Sequence, residues 1–262
     1  MPRKFAVTRG MATFDSGGFS IAYDEVAGEG RPIIFVHGFA SNRNENWKRM
    51  GWYGAVERRR MRFAALDLRG HGESAKPHEP EAYGREAMVG DIFALMDHLG
   101  AARADLVGYS MGAQLSLAAA LAKPERVCDL ILGGIGGKLF DPPPPGTPMA
   151  DAMKAASIDA ISEPLLKSFR QFADEQGEDR AALAACSLGR GANFTRDEVA
   201  ALTAHTLVVA GARDALAGDA GDLAAIIPGA KAVTLPGCDH FSAIPHALFK
   251  AAVFDFFDGE MG

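Results

Sequence analysis

The sequence predicts an α/β fold: a mostly parallel central sheet with helices on both faces and a small helical cap insertion. Three observations lead there. Short apolar runs that stop at glycine and polar residues recur along the chain, helical patterns lie between them, and one long stretch, 138–205, contains no strand-like run. A continuous apolar run marks a strand buried on both faces. Strands alternating with helices imply parallel pairing through right-handed crossovers.

Taken in order, "GFSIAYDEVAGEG" (18–30) alternates and then meets glycines, as a strand and hairpin turn would. "RPIIFVHG" (31–38) is the first fully buried strand. The same design returns in "MRFAALDLRGHG" (61–72), "ARADLVGYS" (102–110), "VCDLILGGIGG" (127–137), "HTLVVAGARD" (205–214) and "AKAVTLPGCDH" (230–240). The clearest helix is 85–99, where Met88, Ile92, Leu95, Met96 and Leu99 share one face. Helices are also expected at 111–123 and 243–257. The basic run "ERRRMR" (57–62) reads as the solvated end of a helix.

The strandless stretch opens with "FDPPPPGTP" (140–148), a stiff extended connector because proline lacks an N–H and restricts its predecessor. Helical patterns follow at 163–176, with Leu165, Leu166, Phe169 and Phe172 on one side, and at 178–189. A structureless loop of that length is foreign to a compact domain. The expected organisation is a core of 1–137 and 206–262 with a helical cap of 138–205.

Bulk properties narrow the function. The chain has 262 residues, 48% of them hydrophobic and 23% charged, which suits one large soluble domain. A net charge of -6 argues against nucleic acid or an anionic membrane as main partner. Cys128, Cys186 and Cys238 form neither a disulfide framework nor a metal-ligand spacing, which suits a reducing compartment. The N-terminal "MPRKFAVTRGMATF" has no sustained apolar stretch behind its basic residues, so no secretory signal is expected. No run of 18 apolar residues occurs, and a cytoplasmic location is expected. "GGIGGKL" (133–139) places Leu139 where a P-loop needs Ser or Thr, and no G-x-G-x-x-G follows a first strand. With no metal-ligand triad either, the expected chemistry needs no cofactor and no metal.

Ligands of open α/β sheets bind outside the carboxyl ends of the strands. There the chain delivers His37-Gly38-Phe39, then Gly108-Tyr109-Ser110-Met111-Gly112, then Arg213 and Asp214, then Asp239 and His240. A serine, an acid and a histidine therefore converge on one edge. G-x-S-x-G between strand and helix is a nucleophile elbow, and Ser, acid, His is its usual partner order. Ser110 needs a base, His240 can be that base, and Asp214 would orient the imidazole. Competing readings accompany each residue. Ser110 could be a plain turn residue and Asp214 a helix cap, with Asp219 and Asp222 as rival acids. Asp239 adjoins His240, but neighbours on an extended segment point apart.

"VHGF", "LDLRGHGES", "GYSMGA", "VVAGARD" and "GCDHF", in this order and spacing, resemble the α/β-hydrolase superfamily over roughly 18–257. The resemblance implies an α/β-hydrolase fold and oxyanion donors at the backbone N–H groups of Phe39 and Met111. It also implies structural roles for His37 and His71. It disfavours dehalogenase and epoxide hydrolase chemistry, which uses an aspartate where this chain has Ser110. The expected activity is hydrolysis of a carboxylic ester of a small, largely apolar substrate through an acyl-enzyme on Ser110. Carbon–carbon bond hydrolysis of a diketone, a perhydrolase-like variant and a non-catalytic small-molecule binder share the same motifs. Substrate contacts are expected from Phe39, Tyr109, Met111, Phe140 and Phe169, with Met149, Met153, Leu165, Leu166 and Phe172 as further lining candidates.

Overall fold

The computed structural model describes residues 12–261. The N-terminal stretch considered above for a signal sequence lies outside the described residues up to residue 11.

Eight strands form one sheet: β1 (Ala12–Ser16), β2 (Phe19–Val26), β3 (Glu29–Val36), β4 (Met61–Leu66), β5 (Ala104–Tyr109), β6 (Val127–Gly133), β7 (His205–Gly211) and β8 (Lys231–Leu235). Their order is β1-β2-β4-β3-β5-β6-β7-β8. The six strands from β4 to β8 in that order run parallel, and β1 and β2 add an antiparallel edge. This is the α/β-hydrolase arrangement expected from the sequence.

The hairpin differs from the expectation. Its turn is at Gly17-Gly18, between β1 and β2, not at the glycines of 27–30. After Val26 the chain leaves β2 and enters β3, which lies on the far side of β4. β2 pairs instead with β4, from Tyr23 opposite Leu66 to Val26 opposite Phe63. Gly28 marks the crossing: a Cβ there would overlap the backbone of Met61 and Arg62.

Alternate strand residues face opposite layers, as the twofold strand period requires. Ile34, Val36, Leu106, Leu132 and Val208 pack with α2 (Arg85–His98), α3 (Met111–Ala122) and α8 (Ala220–Ala224). Ile33, Phe35, Phe63, Val107 and Val209 pack with α1 (Trp52–Arg58) and α9 (Ala247–Phe257). In the second layer Trp52 meets Phe249 edge-on with centroids 4.9 Å apart, and its Nε1–H donates to the Ile244 carbonyl at 2.9 Å. Such aromatic pairs add about 0.5–1.5 kcal/mol beyond area burial. α9 starts at Ala247, four residues later than the periodicity suggests. Pro245 disfavours a helical Ile244, and the His246 side chain accepts from the Leu248 N–H at 3.2 Å as the cap. The basic run ends α1 with Arg58, Arg59 and Arg60 exposed.

Between β6 and β7 the described residues contain no strand. They form α4 (Pro148–Lys154), α5 (Pro164–Gln176), α6 (Arg180–Gly189) and α7 (Arg196–Ala200). Each later helix begins at a capping side chain. Glu163 accepts from the N–H groups of Leu165 and Leu166, Asp179 from those of Ala181 and Ala182, and Thr195 forms a capping box with Glu198. Phe169, Ala173, Leu183 and Cys186 bury against the α3 layer. Glu178 ties this segment to the core, accepting from the Gly72 N–H at 2.8 Å and from Asn42 Nδ2 at 2.9 Å. Among the described residues no helix is long and apolar enough to cross a membrane.

Candidate active site

Ser110 stands between β5 and α3 at φ 53°, ψ −117°. A non-glycine residue there carries backbone strain of about 1–3 kcal/mol. The surroundings hold it: its N–H donates to the Gly133 carbonyl at 2.8 Å, and its carbonyl accepts from Gln114 at 3.1 Å. The flanking glycines serve close approach rather than turn freedom alone. A Cβ at 108 would overlap the Gly112 carbonyl, and one at 112 would overlap the Val36 carbonyl. The first turn of α3 thus rests directly on the end of β3.

The acid and the histidine meet this serine. His240 Nε2 is 3.0 Å from Ser110 Oγ, and His240 Nδ1 is 2.8 Å from Asp214 Oδ2. Asp214 is 4% exposed and His240 7%, so the contacts are shielded from bulk water. Asp214 Oδ1 also accepts from the N–H groups of Leu216 and Ala217, each at 3.0 Å. These two bonds hold a turn at 215–217 and not a helix start, since α8 begins only at Ala220 with Asp219 as its cap. The rivals are occupied elsewhere. Asp219 caps α8, and Asp239 accepts from Ser242 and from the Phe241 N–H.

The loop carrying His240 is fastened to the end of β7. Arg213 N–H donates to the Cys238 carbonyl at 2.8 Å, and Arg213 Nε to the Gly237 carbonyl at 2.9 Å. Tyr109 donates its hydroxyl to the His240 carbonyl at 2.6 Å. The Phe39 and Met111 N–H groups have no acceptor among the described residues. Met111 opens α3, where the first-turn N–H groups are free of intrahelical partners. Gly38 brings Phe39 close: a Cβ on it would stand 3.3 Å from Ser110 Cβ.

His37 and His71 are fully buried. His37 Nδ1–H donates to the Gly38 carbonyl at 2.8 Å, so Nε2 accepts from the Leu68 N–H at 2.9 Å. That pairing requires a neutral ring, and burial lowers its pKa to about 4. His71 Nδ1–H donates to the Arg69 carbonyl at 3.0 Å, and burial takes its pKa to about 3. Neither touches Ser110; both hold the loops after β3 and β4.

A cavity of about 630 Å³ opens over Ser110 and His240. Phe39, Met111 and Phe169 line it, with Met149, Leu165 and Leu166. Two of the residues expected to contact substrate lie outside this lining. Tyr109 does not line it. The ring is 2% exposed, near Phe249 and the backbone of Gly134, because the residue before the elbow still points into the α9 layer. Phe140 does not line it either: it packs toward the core beneath the Arg196 guanidinium, 4.7 Å from its ring centroid. Met153 and Phe172 likewise pack within the helical segment or against Phe241. Sequence reading missed the polar lining, which includes Gln114, Arg85, Lys138 and Arg190. Loop placement decides which basic residues face inward, and periodicity carries no such signal for 189–193.

A model of the alpha/beta hydrolase fold matches residues 31–159. The acetyltransferase component of an acetoin cleaving system from Pseudomonas putida is 34% identical over 215 residues, 76% of this chain and 56% of that protein. A 2-hydroxy-6-oxo-2,4-heptadienoate hydrolase from Pseudomonas putida is 36% identical over 128 residues, 48% of this chain and 45% of its own length. The chain thus aligns with only about half the length of these relatives. Among solved structures, a hydrolase from Pseudomonas aeruginosa PA01 superposes with a TM-score of 0.79 at 25% identity, over 95% of this chain and 99% of that one. The enol-lactonase from Burkholderia xenovorans LB400 also gives 0.79, at 24% identity over 94% and 100%. Family model, sheet order and superposition agree: the chain belongs to the α/β-hydrolase superfamily.

Proposed function

We propose that the protein is a serine hydrolase that cleaves a carboxylic ester, open-chain or cyclic, through an acyl-enzyme on Ser110. One observation carries this reading. Ser110, His240 and Asp214 form a continuous hydrogen-bonded chain of 3.0 and 2.8 Å at the floor of a cavity. His240 Nε2 takes the hydroxyl proton as Oγ attacks the carbonyl carbon, and Asp214 stabilises the imidazolium. The oxyanion develops toward the N–H groups of Phe39 and Met111, each such donor being worth about 2.7–4 kcal/mol. The imidazolium then protonates the departing alcohol. Water, deprotonated by His240, attacks the acyl carbon and returns Ser110 with the free acid. No cofactor or metal enters this scheme, and the partner is a small molecule. The segment 138–205 acts as the cap that shapes the acyl site, through Met149, Leu165, Leu166 and Phe169.

The test is hydrolysis of p-nitrophenyl butyrate by the protein and by Ser110→Ala, together with labelling by a serine-reactive phosphonate. Stoichiometric labelling of Ser110 and loss of turnover in the variant are expected. Turnover unaffected by Ser110→Ala sinks the reading, and failure to label favours a non-catalytic binder. Carbon–carbon bond hydrolysis is the second reading, favoured by the relative named for 2-hydroxy-6-oxo-2,4-heptadienoate. A vinylogous diketone assayed beside the esters separates the two.

A further inference from the structure

The cavity over Ser110 carries an excess of positive charge in a protein whose net charge is -6. Its charged lining is Arg85, Lys138 and Arg190 against the single carboxylate of Asp141. None of the three cations forms an ion pair among the described residues. Arg85 donates to the Ala192 carbonyl and stacks on Phe194, and Lys138 Nζ donates to the Ala215 carbonyl at 2.8 Å. Each therefore has a neutral partner that fixes it without cancelling its charge.

Arg190 has less. Its guanidinium makes no hydrogen bond among the described residues and lies 5.5 Å from the centroid of the Phe39 ring. Arg190, Phe39, Ser110 and His240 all line the same cavity, so this cation and the serine open onto one space. The residue stays exposed because it borders the open cavity, yet protein crowds it closely enough that desolvation lowers its pKa. A guanidinium in such surroundings is stabilised by an anion that offers two oxygens to its planar fork. Walls of low dielectric and one sign of charge also concentrate anions from solution.

We propose that the cavity selects esters bearing a free carboxylate, which Arg190 binds while Ser110 attacks the ester carbonyl of the same molecule. The substrate class is then half-esters, or lactones, of dicarboxylic acids rather than neutral esters. This rests on the assignment of Ser110 as nucleophile. For a half-ester the acyl group passes to Ser110 Oγ, the alcohol leaves with the proton held by His240, and water yields the dicarboxylate.

The experiment compares monomethyl succinate, glutarate and adipate with their dimethyl esters, following acid release in a pH-stat. The monoester of one chain length should exceed its diester at least about tenfold in kcat/KM, with the advantage falling as salt rises. Arg190→Gln should cut that ratio roughly 10- to 100-fold, the range for a charged hydrogen bond, mainly through the KM of the monoester. Arg190→Lys should restore part of it. Arg196→Gln, on Phe140 outside the cavity, should leave the ratio unchanged. Diesters favoured at every length, or a ratio insensitive to Arg190→Gln in a variant of native melting temperature, overturns the proposal. Calorimetric binding of monomethyl adipate to Ser110→Ala, with and without Arg190→Gln, reads the anion site without chemistry. Binding lost only in the double variant upholds the site even if phosphonate fails to label Ser110, and equal binding by both rejects it.

Discussion

Asp214→Asn isolates the proton logic of the site from its architecture. Two backbone donors, Leu216 N–H and Ala217 N–H, converge on Oδ1 at 3.0 Å, so that position must stay an acceptor. The carboxamide therefore keeps its oxygen there and turns its NH₂ toward His240 Nδ1, 2.8 Å from the present Oδ2. An NH₂ group can only donate, so Nδ1 must accept and the ring proton moves to Nε2. An Nε2–H cannot take the Ser110 proton across 3.0 Å. The expected loss in kcat is about 10⁴-fold, or roughly 5 kcal/mol of barrier, the scale known for a mis-set tautomer in a serine triad. The assay is p-nitrophenyl butyrate turnover at pH 7.5 with a urea melt of the same preparation. Asp239→Asn is the control, expected within about threefold of the parent because its carboxylate serves only the turn at Phe241 and Ser242. Retention of more than a tenth of the activity by Asp214→Asn, or a loss matched by unfolding, would refute the reasoning.

Two further outcomes follow from packing and burial. Gly112→Ala forces a Cβ into the Val36 carbonyl, a backbone atom that cannot rotate away, and should cost more than about 3 kcal/mol in urea denaturation; a parental midpoint contradicts this. His37 and His71 have folded pKa values of about 4 and 3, below the unfolded value of 6.5. Their contribution is complete above pH 6.5 and is lost as pH falls toward 4 and 3, several kcal/mol in total at the acid end. Asp67 and Glu178, whose pKa values burial raises, oppose this trend. Urea midpoints from pH 7 to 4.5 should fall less steeply for His71→Asn than for the parent, and parallel slopes would disprove the linkage.

The strands from β3 to β8 were legible as apolar runs that stop at glycine and polar residues, and at Gly38, Gly133 and Gly211 a Cβ would crowd neighbouring atoms; β1, short and only partly apolar, was missed. The site was legible for the same reason: a residue at the carboxyl end of a parallel strand reaches one edge, wherever it lies in the chain. Asp214 could be chosen over Asp219 and Asp222 because it lies three residues past the end of β7, whereas Asp219 caps α8 and Asp222 lies within it. The misreadings share a different cause. The turn at 27–30 obeys hairpin rules locally, but β4 inserts between β2 and β3, a non-local event that no turn residue encodes. Tyr109 precedes the elbow and was expected to flank substrate, yet strand alternation sends it into the opposite layer, toward Phe249. The period that located the strand held that answer. Phe140 and Arg190 lie in segments without a period, so their facing is set by tertiary packing alone.

That division bears on how the protein is built. The serine, histidine and acid rest on strand ends and on contacts between backbones, where even a methyl group at 112 has no room. The cavity's lining comes largely from the loop and helices between β6 and β7, fastened to the core by side chains such as Glu178 on Gly72 and Asn42. Changes in that segment can redirect the cavity without disturbing the 3.0 and 2.8 Å contacts beneath it. Under the proposed reading, chemistry and selectivity are carried by separate parts of the chain. A substitution at Arg190 should therefore act on which ester binds, and one at Asp214 on whether any ester reacts.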